Sequence, residues 1–321
     1  MADEISDSLL RVAVVGCGPR GRSHLLALSQ FKNVILCAVC DTSEELANLA
    51  ATEYGVAQRY TSLGDMITVE NLDAVFVAVP AHLNSDVAQL CLGRGINTFL
   101  EKPPGLSVDQ AIQLNKIARE TGAKGMVGWN RRFNSIVVKA RELVEARGPV
   151  IQLVGEFHKS MEDYISSKIF PDYLLDNLIL ESPIHSIDLI RSIAGSEVNE
   201  VRAAVRRVES IYKDVHAALV VFDNGCIAQL TFNMTTATRL ERYEIHGRGI
   251  SAYLEGIDRG VVVTDEGTVD LSLESNGIVE QARYFLDCVS EDQPISLPAS
   301  NLDEAVKTMK LAESILAGLR E

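Results

Sequence analysis

The sequence predicts an α/β protein whose first part is a doubly wound parallel sheet and whose second part is an α+β domain with a large, mostly antiparallel, open-faced sheet. Three observations predict it. Short, nearly continuous β-branched runs alternate with amphipathic helical stretches through the first 130 residues, the pattern of a parallel sheet covered on both faces. A glycine-rich turn stands at the first strand-to-helix junction. Beyond Gly148-Pro149, longer alternating strands take over and helices become few.

In the first part, strands are expected at Arg11–Val15, Val34–Cys40, Asp73–Val79, Asn97–Leu100 and Lys124–Val127. Helices are expected between them, at Pro19–Gln30, Ser43–Tyr54, Ser85–Arg94 and Ser107–Thr121, with a further helix over Phe133–Ala146. In the second part, Ile151–His158, Val201–Glu209, Val215–Phe222 and Ile227–Met234 read as strands, and Asp223-Asn224-Gly225 as a hairpin turn. Shorter strands follow near Tyr243–His246, Ala252–Glu255, Val261–Thr264 and Val269–Leu273, and helices over Ile278–Ser290 and Leu302–Leu319 close the chain. A length of 321 residues suits two domains. These are set at residues 1–130 and 131–321, with the last helix free to pack back on the first.

Composition narrows the classes of function. An apolar fraction of 47% with 23% charged residues is that of a globular chain. The net charge of −14 argues against nucleic acid or an anionic membrane as partner, since both need basic surface. No apolar run approaches the ~20 residues of a membrane span. The acidic start Met1-Ala2-Asp3-Glu4 is unlike a secretory signal. Six cysteines are scattered, and Cys37 and Cys40 lie on one strand, where period-two alternation sends them to opposite faces. Buried structural thiols in a reducing cytoplasm are therefore expected, with no metal site.

Gly16-Cys17-Gly18-Pro19-Arg20-Gly21 follows the first strand and opens the first helix. Gly16 permits the tight turn, Gly18 lets backbone approach a pyrophosphate, and Gly21 allows close helix–strand packing. The helix N-terminus adds its dipole and free N–H groups. Asp41 stands 20 residues after Gly21, at the end of the second strand, where a carboxylate bonds both ribose hydroxyls of NAD and repels a 2′-phosphate. This is a Rossmann dinucleotide site, with NAD favoured and NADP possible where local arginines override the acid. Pro19 and Arg20 complete the set of cofactor contacts.

Further along, Phe99-Leu100-Glu101-Lys102-Pro103-Pro104 ends the Asn97–Leu100 strand and Gly128-Trp129-Asn130-Arg131-Arg132-Phe133 follows the Lys124–Val127 strand. With the glycine motif, these segments resemble the Gfo/Idh/MocA oxidoreductases. The resemblance implies that Lys102 reaches the substrate near the nicotinamide and that Glu101 and Pro103 shape its loop. It also implies that Val79, Pro80 and His82 line the cofactor cleft. Trp129 and Arg131 are candidate substrate contacts.

The stretch from Asp176 to Leu189 resembles the second signature of that family, with His185 and Asp188 matching. Three positions depart from it: Asp176-Asn177 replaces a glycine pair, Glu181 replaces an aspartate, and Pro183 replaces a glycine. Pro183 fits a first helical position with Ser182 as N-cap, and Gly195 ends the helix. Ile184, Ile187, Ile190 and Ala194 form the buried stripe, leaving His185 and Asp188 on another side. Near the positive helix end, and near a charged Lys102, His185 is expected to be biased toward the neutral imidazole that a base requires.

The expected chemistry is reversible oxidation of a secondary hydroxyl on a sugar, sugar derivative or cyclitol, with hydride passing to NAD. His185 takes the hydroxyl proton, Lys102 polarises the oxygen, Glu181 orients His185 or the substrate, and Asp188 bonds a neighbouring hydroxyl. Lys159, Tyr164, Lys168 and Tyr173 are further possible polyol contacts. Two alternatives stand beside this one: a reductase of a non-sugar carbonyl or imine, and a catalytically silent NAD-binding regulator. Alternation along Ile227–Phe232 gives the second sheet two unlike faces, and the resemblance implies self-association through one, as a homodimer or homotetramer.

Overall fold

The computed structural model describes residues 9–320. They form two compact units: residues up to 105, 109–128 and 278–305 make the first, and 106–108, 129–277 and the C-terminal residues from 306 make the second. The segment 278–305 thus returns to the first unit, which includes the penultimate helix as well as the start of the last.

The first unit runs β1 (Leu10–Val15), α1 (Pro19–Leu28), β2 (Val34–Cys40), α2 (Glu44–Tyr54), β3 (Gln58–Tyr60), α3 (Leu63–Val69), β4 (Ala74–Val77), α4 (Asn84–Gly93), β5 (Asn97–Glu101), α5 (Val108–Thr121) and β6 (Gly125–Gly128). Sheet order is β6-β5-β4-β1-β2-β3, all parallel, extended beyond β6 by a two-residue antiparallel strand near the end of the chain. Val12, Val14, Ala74, Val75, Phe76, Phe99 and Leu100 are fully buried, as strands covered on both faces require. Strand order reverses direction about β1, so the carboxyl ends of β1 and β4 open the crevice where such sheets bind ligands.

Two elements here carry too little sequence signal to be foreseen. β3 is three residues, Gln58-Arg59-Tyr60, none of them buried. The seven-residue α3 starts from Ser62, whose hydroxyl accepts from Asp65 N. By contrast α2 is capped at both ends by local chemistry, Ser43 Oγ accepting from Leu46 N and Gly55 taking the left-handed conformation at φ 67°.

The second unit runs α6 (Ser135–Glu145), β7 (Gln152–Ser160), the short α7 (Glu162–Ser167) and α8 (Asp172–Leu175), α9 (Ile184–Ala194), β8 (Val198–Arg206), β9 (Val215–Phe222), β10 (Ile227–Asn233), β11 (Thr235–Gly247), β12 (Ile250–Glu255), β13 (Arg259–Thr264) and β14 (Gly267–Ser272). Eight strands form one sheet in the order β14-β13-β12-β11-β7-β10-β9-β8, antiparallel except where β7 meets β10. One face is covered by α9: a Cβ on Gly155 of β7 would come within 3.0 Å of Ile190. The chain closes with α10 (Ile278–Ser290), β15 (Ser300–Asn301, the antiparallel addition to β6) and α11 (Leu302–Leu316).

β11 is much longer than the Tyr243–His246 strand expected, because Thr235–Arg242 is largely exposed and carries no alternation. α9 also departs from expectation. Pro183 precedes the helix in αR geometry and Ser182 does not cap it; its hydroxyl instead donates to Glu181 Oε2. Every residue from Ile184 to Ala194 is buried, so no side of the helix faces solvent. Among the described residues no helix is long and apolar enough to cross a membrane. All six cysteines are buried and unpaired. Burial first, then the Asp41 charge, pushes the Cys17 thiol up to about 12 and that of Cys40 up to about 11.

Candidate active site

In the first unit the glycine turn is built as a cradle. Gly16 has φ +90°, and a Cβ there would lie 2.4 Å from the Ala78 carbonyl oxygen. At Gly21 a Cβ would lie 1.7 Å from the Gly16 carbonyl oxygen. Gly18 is different: nothing lies within 4 Å of its Cβ position, and it serves as N-cap to α1 with Pro19 as the first helical residue. Two glycines are thus consumed by packing and one faces open space beside a helix N-terminus, which is the form a pyrophosphate needs.

Asp41 lies beside this turn. Its Oδ2 accepts from Cys17 N at 2.7 Å and its Oδ1 from Ser43 N at 2.8 Å. The carboxylate is therefore held by the glycine turn on one side and the start of α2 on the other, half-buried, with lone pairs left for a diol. The donor set and the open position at Gly18 fit NAD.

The loop after β5 is clamped from beneath. Asn84, fully buried at the start of α4, donates to the carbonyl oxygens of Glu101 (3.0 Å) and Pro103 (2.9 Å), on either side of Lys102. Glu101 Oε1 is 2.7 Å from His24 Nε2 and 3.6 Å from Arg20 Nε. Burial alone would push this carboxyl up; the His24 hydrogen bond and the charges of His24, Arg20 and Lys102 override it and hold it below the ordinary range. His24 itself is packed between Phe76 and Phe99. Lys102 is half-buried at the carboxyl end of the sheet, with His82 and Val79 also half-buried and Pro80 exposed in the turn after β4.

Asn84 and His24 carry no spacing signal in the sequence. Asn84 works through two backbone carbonyls, and the partner of His24 lies 77 positions away.

In the second unit His185 is the second residue of α9 and only 5% exposed. The Trp129 ring meets its ring edge-on, with centroids 5.9 Å apart. Glu181 and Ser182 both meet the Tyr164 hydroxyl, at 2.9 Å and 2.8 Å. Burial, then the Glu181 charge, pushes the Tyr164 hydroxyl well up, so it stays protonated. On the neighbouring turn of sheet, Ser186 Oγ is 3.0 Å from Tyr243 Oη, which donates to Glu241 Oε1 at 2.9 Å. Lys168 and Tyr173 are exposed.

Two expected substrate contacts are instead internal. Asp188 is 1% exposed and is held by Arg132 Nε (2.8 Å), Arg132 Nη2 (2.7 Å) and Thr308 Oγ1 (2.8 Å). With three donors around it in a buried environment, the carboxylate serves as counterion to Arg132. Arg131 is likewise committed, donating to Glu241 through Nε (3.0 Å) and Nη2 (3.1 Å) with both groups buried. The departures at Asp176-Asn177 also have a structural use. Lys213 Nζ donates to Asp176 Oδ2 (2.8 Å) and Asn177 Oδ1 (3.0 Å), and Arg207 meets the same aspartate, tying the β8–β9 loop to α8. Among the described residues no group of three or more potential ligands is arranged to hold a metal.

Comparison with known proteins agrees with this construction. Residues 10–129 match the model of an oxidoreductase family with an NAD-binding Rossmann fold, and residues 137–253 match the GFO/IDH/MocA C-terminal domain. The chain is 26% identical over 302 residues to the 4-carboxy-2-hydroxymuconate-6-semialdehyde dehydrogenase of Sphingobium sp., covering 92% of this chain and 95% of that protein. It is 27% identical over 270 residues to the myo-inositol 2-dehydrogenase of Thermotoga maritima, covering 80% and 79%. The structure of a UDP-N-acetylglucosamine 3-dehydrogenase from Acidithiobacillus ferrooxidans superposes with a TM-score of 0.82 at 20% identity, covering 97% of each chain. With both of its domain models matched in order along one chain, the protein belongs to the Gfo/Idh/MocA family of NAD-binding oxidoreductases.

Proposed function

We propose that the protein is an NAD-dependent dehydrogenase that oxidises a secondary hydroxyl of a sugar, sugar derivative or cyclitol. The observation that carries this is the clamped loop: Asn84 and Glu101 fix the backbone on both sides of Lys102, at the same edge of the sheet as the open glycine turn. A regulator that only senses the nucleotide has no use for a lysine positioned in this way. The named dehydrogenases similar to this chain act on cyclitol and sugar substrates among others.

Bound NAD supplies the hydride acceptor. Gly16, Gly18, Pro19, Arg20, Gly21 and Asp41 hold it, with Val79, Pro80, His82 and Glu101 along the cleft. His185 removes the hydroxyl proton, and Lys102 stabilises the negative charge that develops on that oxygen. Glu181 holds Tyr164 and Ser182 in front of α9 and so shapes the approach to His185. Trp129 supports the His185 ring from the side.

Reduced-nicotinamide absorbance, followed over a panel of aldoses, polyols and cyclitols with NAD and NADP, tests the proposal. Turnover of at least one polyhydroxylated substrate with NAD is expected, with His185→Ala lowering kcat by orders of magnitude while NAD still binds. Tight NAD binding without turnover of any panel member would favour the silent regulator. Unimpaired turnover by His185→Ala would remove the base.

The uncovered face of the second sheet suits self-association. A shallow depression there is lined by Val154, Ala217 and Leu219 together with the polar Glu156, Arg202, Gln229 and Thr231. A homodimer or homotetramer built on this face is the expected assembly, and a monomer mass by light scattering at micromolar concentration would count against it. The six unpaired thiols fit a reducing cytoplasm.

A further inference from the structure

The inner face of the second sheet, where β7 and β11 approach α9, has an unbalanced charge. Lys159 Nζ lies 4.2 Å from the centre of the Tyr164 ring. Among the described residues it has no carboxylate within ion-pair distance. Across the strand pair, Leu240 of β11 pairs with His158 of β7, Arg239 and Lys159 are the next residues beyond that pair, and the Arg239 charge also reaches the Tyr164 hydroxyl. The register of the two strands breaks between Thr235 and Leu240, so the ladder opens at this point. Arg239 stacks over the Phe157 ring at 5.1 Å and is 51% exposed, its guanidinium reaching Glu241 Oε2 at 2.5 Å.

That glutamate is already engaged by Arg131 with two hydrogen bonds. Burial would raise its carboxyl, and two guanidiniums, Arg131 first, hold it below the ordinary range. One carboxylate therefore serves two arginines, and Lys159 adds a third cation on the same face. Glu181, across the Tyr164 ring, is the second carboxylate. Arg131, Arg239 and Lys159 thus stand with two carboxylates, Glu241 and Glu181, in a chain whose net charge is −14. Cations gathered in this way against the overall charge suit a negatively charged ligand group.

From this arrangement we infer that the substrate carries a carboxylate, held by Lys159 and Arg239. The substrate class is a polyhydroxylated acid (an aldonic or uronic acid, or a ring carboxylate with hydroxyls), in place of a neutral sugar or cyclitol. Lys159 gives a point charge and Arg239 a planar fork that meets two carboxylate oxygens. The Tyr164 ring orders the ammonium, and the Tyr164 hydroxyl ties this pair of cations to Glu181 and Ser182, immediately before the His185 helix. The inference rests on the dehydrogenase reading for its chemistry but on these residues for its charge.

The test compares matched probes with the NAD-loaded protein: D-glucuronate and D-gluconate against D-glucose and myo-inositol, by turnover and by calorimetric binding. The acids are expected to show kcat/KM and affinity at least about tenfold above the neutral compounds, the scale of one charge-assisted bidentate contact. Lys159→Met keeps the stem and removes the charge, and Arg239→Met does the same on the other strand. Each should lower the acid-to-neutral ratio by about tenfold, with thermal unfolding unchanged within a few degrees. Polyol turnover with no acid preference overturns the inference and leaves the dehydrogenase standing. Preferential acid binding without turnover does the reverse. Absence of preferential acid binding overturns it whether or not turnover is seen.

Discussion

Arg132 grips Asp188 through two parallel hydrogen bonds, Nε to Oδ2 at 2.8 Å and Nη2 to Oδ1 at 2.7 Å, with both side chains 1% exposed. Thr308 of α11 supplies a third donor, so the pair joins the segment after β6, the His185 helix and the last helix within one unit. Removing the carboxylate would leave a buried guanidinium uncompensated. Asp188→Ala should therefore lower stability by about 3–5 kcal/mol in denaturant unfolding. Replacing both partners together, Asp188→Leu with Arg132→Met, should recover much of that loss, because no unpaired charge remains. A substrate-binding aspartate would behave differently: Asp188→Ala would leave the midpoint in place and raise KM alone.

That pair also shows where the sequence stops being legible. Its partners are 56 positions apart, and no periodicity connects them. A carboxylate three residues after a histidine reads as part of the same site until burial and the second partner are known. What is local was readable. Ser43 and Gly55 bound α2, the glycine turn follows β1, and Asp41 closes β2 at the expected distance, touching Cys17 N in the folded chain. Continuous apolar runs marked the parallel strands because both their faces are covered. β11 was hidden by its exposed first half, and the stretch from Met161 to Leu178 by packing that gathers Tyr164, Leu175 and Met234 from separate elements. Likewise Asp176-Asn177 departs from a glycine pair for the sake of Lys213, which is 37 positions away.

Gly18 and Gly21 should separate binding from folding. Nothing lies within 4 Å of a Cβ at Gly18, and its φ of −68° suits any residue. Gly18→Val should fold with an unchanged Tm and yet bind NAD at least about tenfold more weakly, since the new side chain fills the space that the pyrophosphate needs. Gly21→Ala meets the Gly16 carbonyl oxygen at 1.7 Å, so the backbone must shift. It should cost about 1–3 kcal/mol of stability. Tm by calorimetry and NAD affinity by fluorescence titration check both; a folded Gly18→Val that binds NAD as tightly as the parent protein would place the pyrophosphate elsewhere.

Asn84 is a positioning residue that acts through the two backbone carbonyls flanking Lys102. Asn84→Ala frees the carbonyls of Glu101 and Pro103, so the loop carrying Lys102 loses its anchor. Misplacement of a reacting group by about 1 Å costs about a hundredfold in rate, so kcat should fall on that scale. The affinity for NAD should stay within about twofold, because the glycine turn and Asp41 are untouched. Stability should drop by about 1–3 kcal/mol from the unsatisfied carbonyls. An unchanged kcat in a variant that has lost this stability would show that the clamp serves folding alone.

His216 gives the protein a distinct response to mild acid. It is fully buried on β9, and burial, then the nearby Lys213 charge, pushes its imidazole down to about 4 from an ordinary 6.5. Between those two values the unfolded chain binds a proton that the folded chain refuses. Stability therefore rises with pH across this window, is complete above about 6.5, and is lost as pH falls toward 4, by about 3 kcal/mol in all. Glu101 and Asp176, whose carboxyls are held below their ordinary range, add their own losses only at lower pH. Urea midpoints measured from pH 7 down to 5.5, above the range where Glu101 and Glu241 begin to contribute, thus isolate the histidine. His216→Leu, which cannot titrate, should flatten that stretch of the profile; the same slope in the variant and the parent protein would assign the acid response to another group.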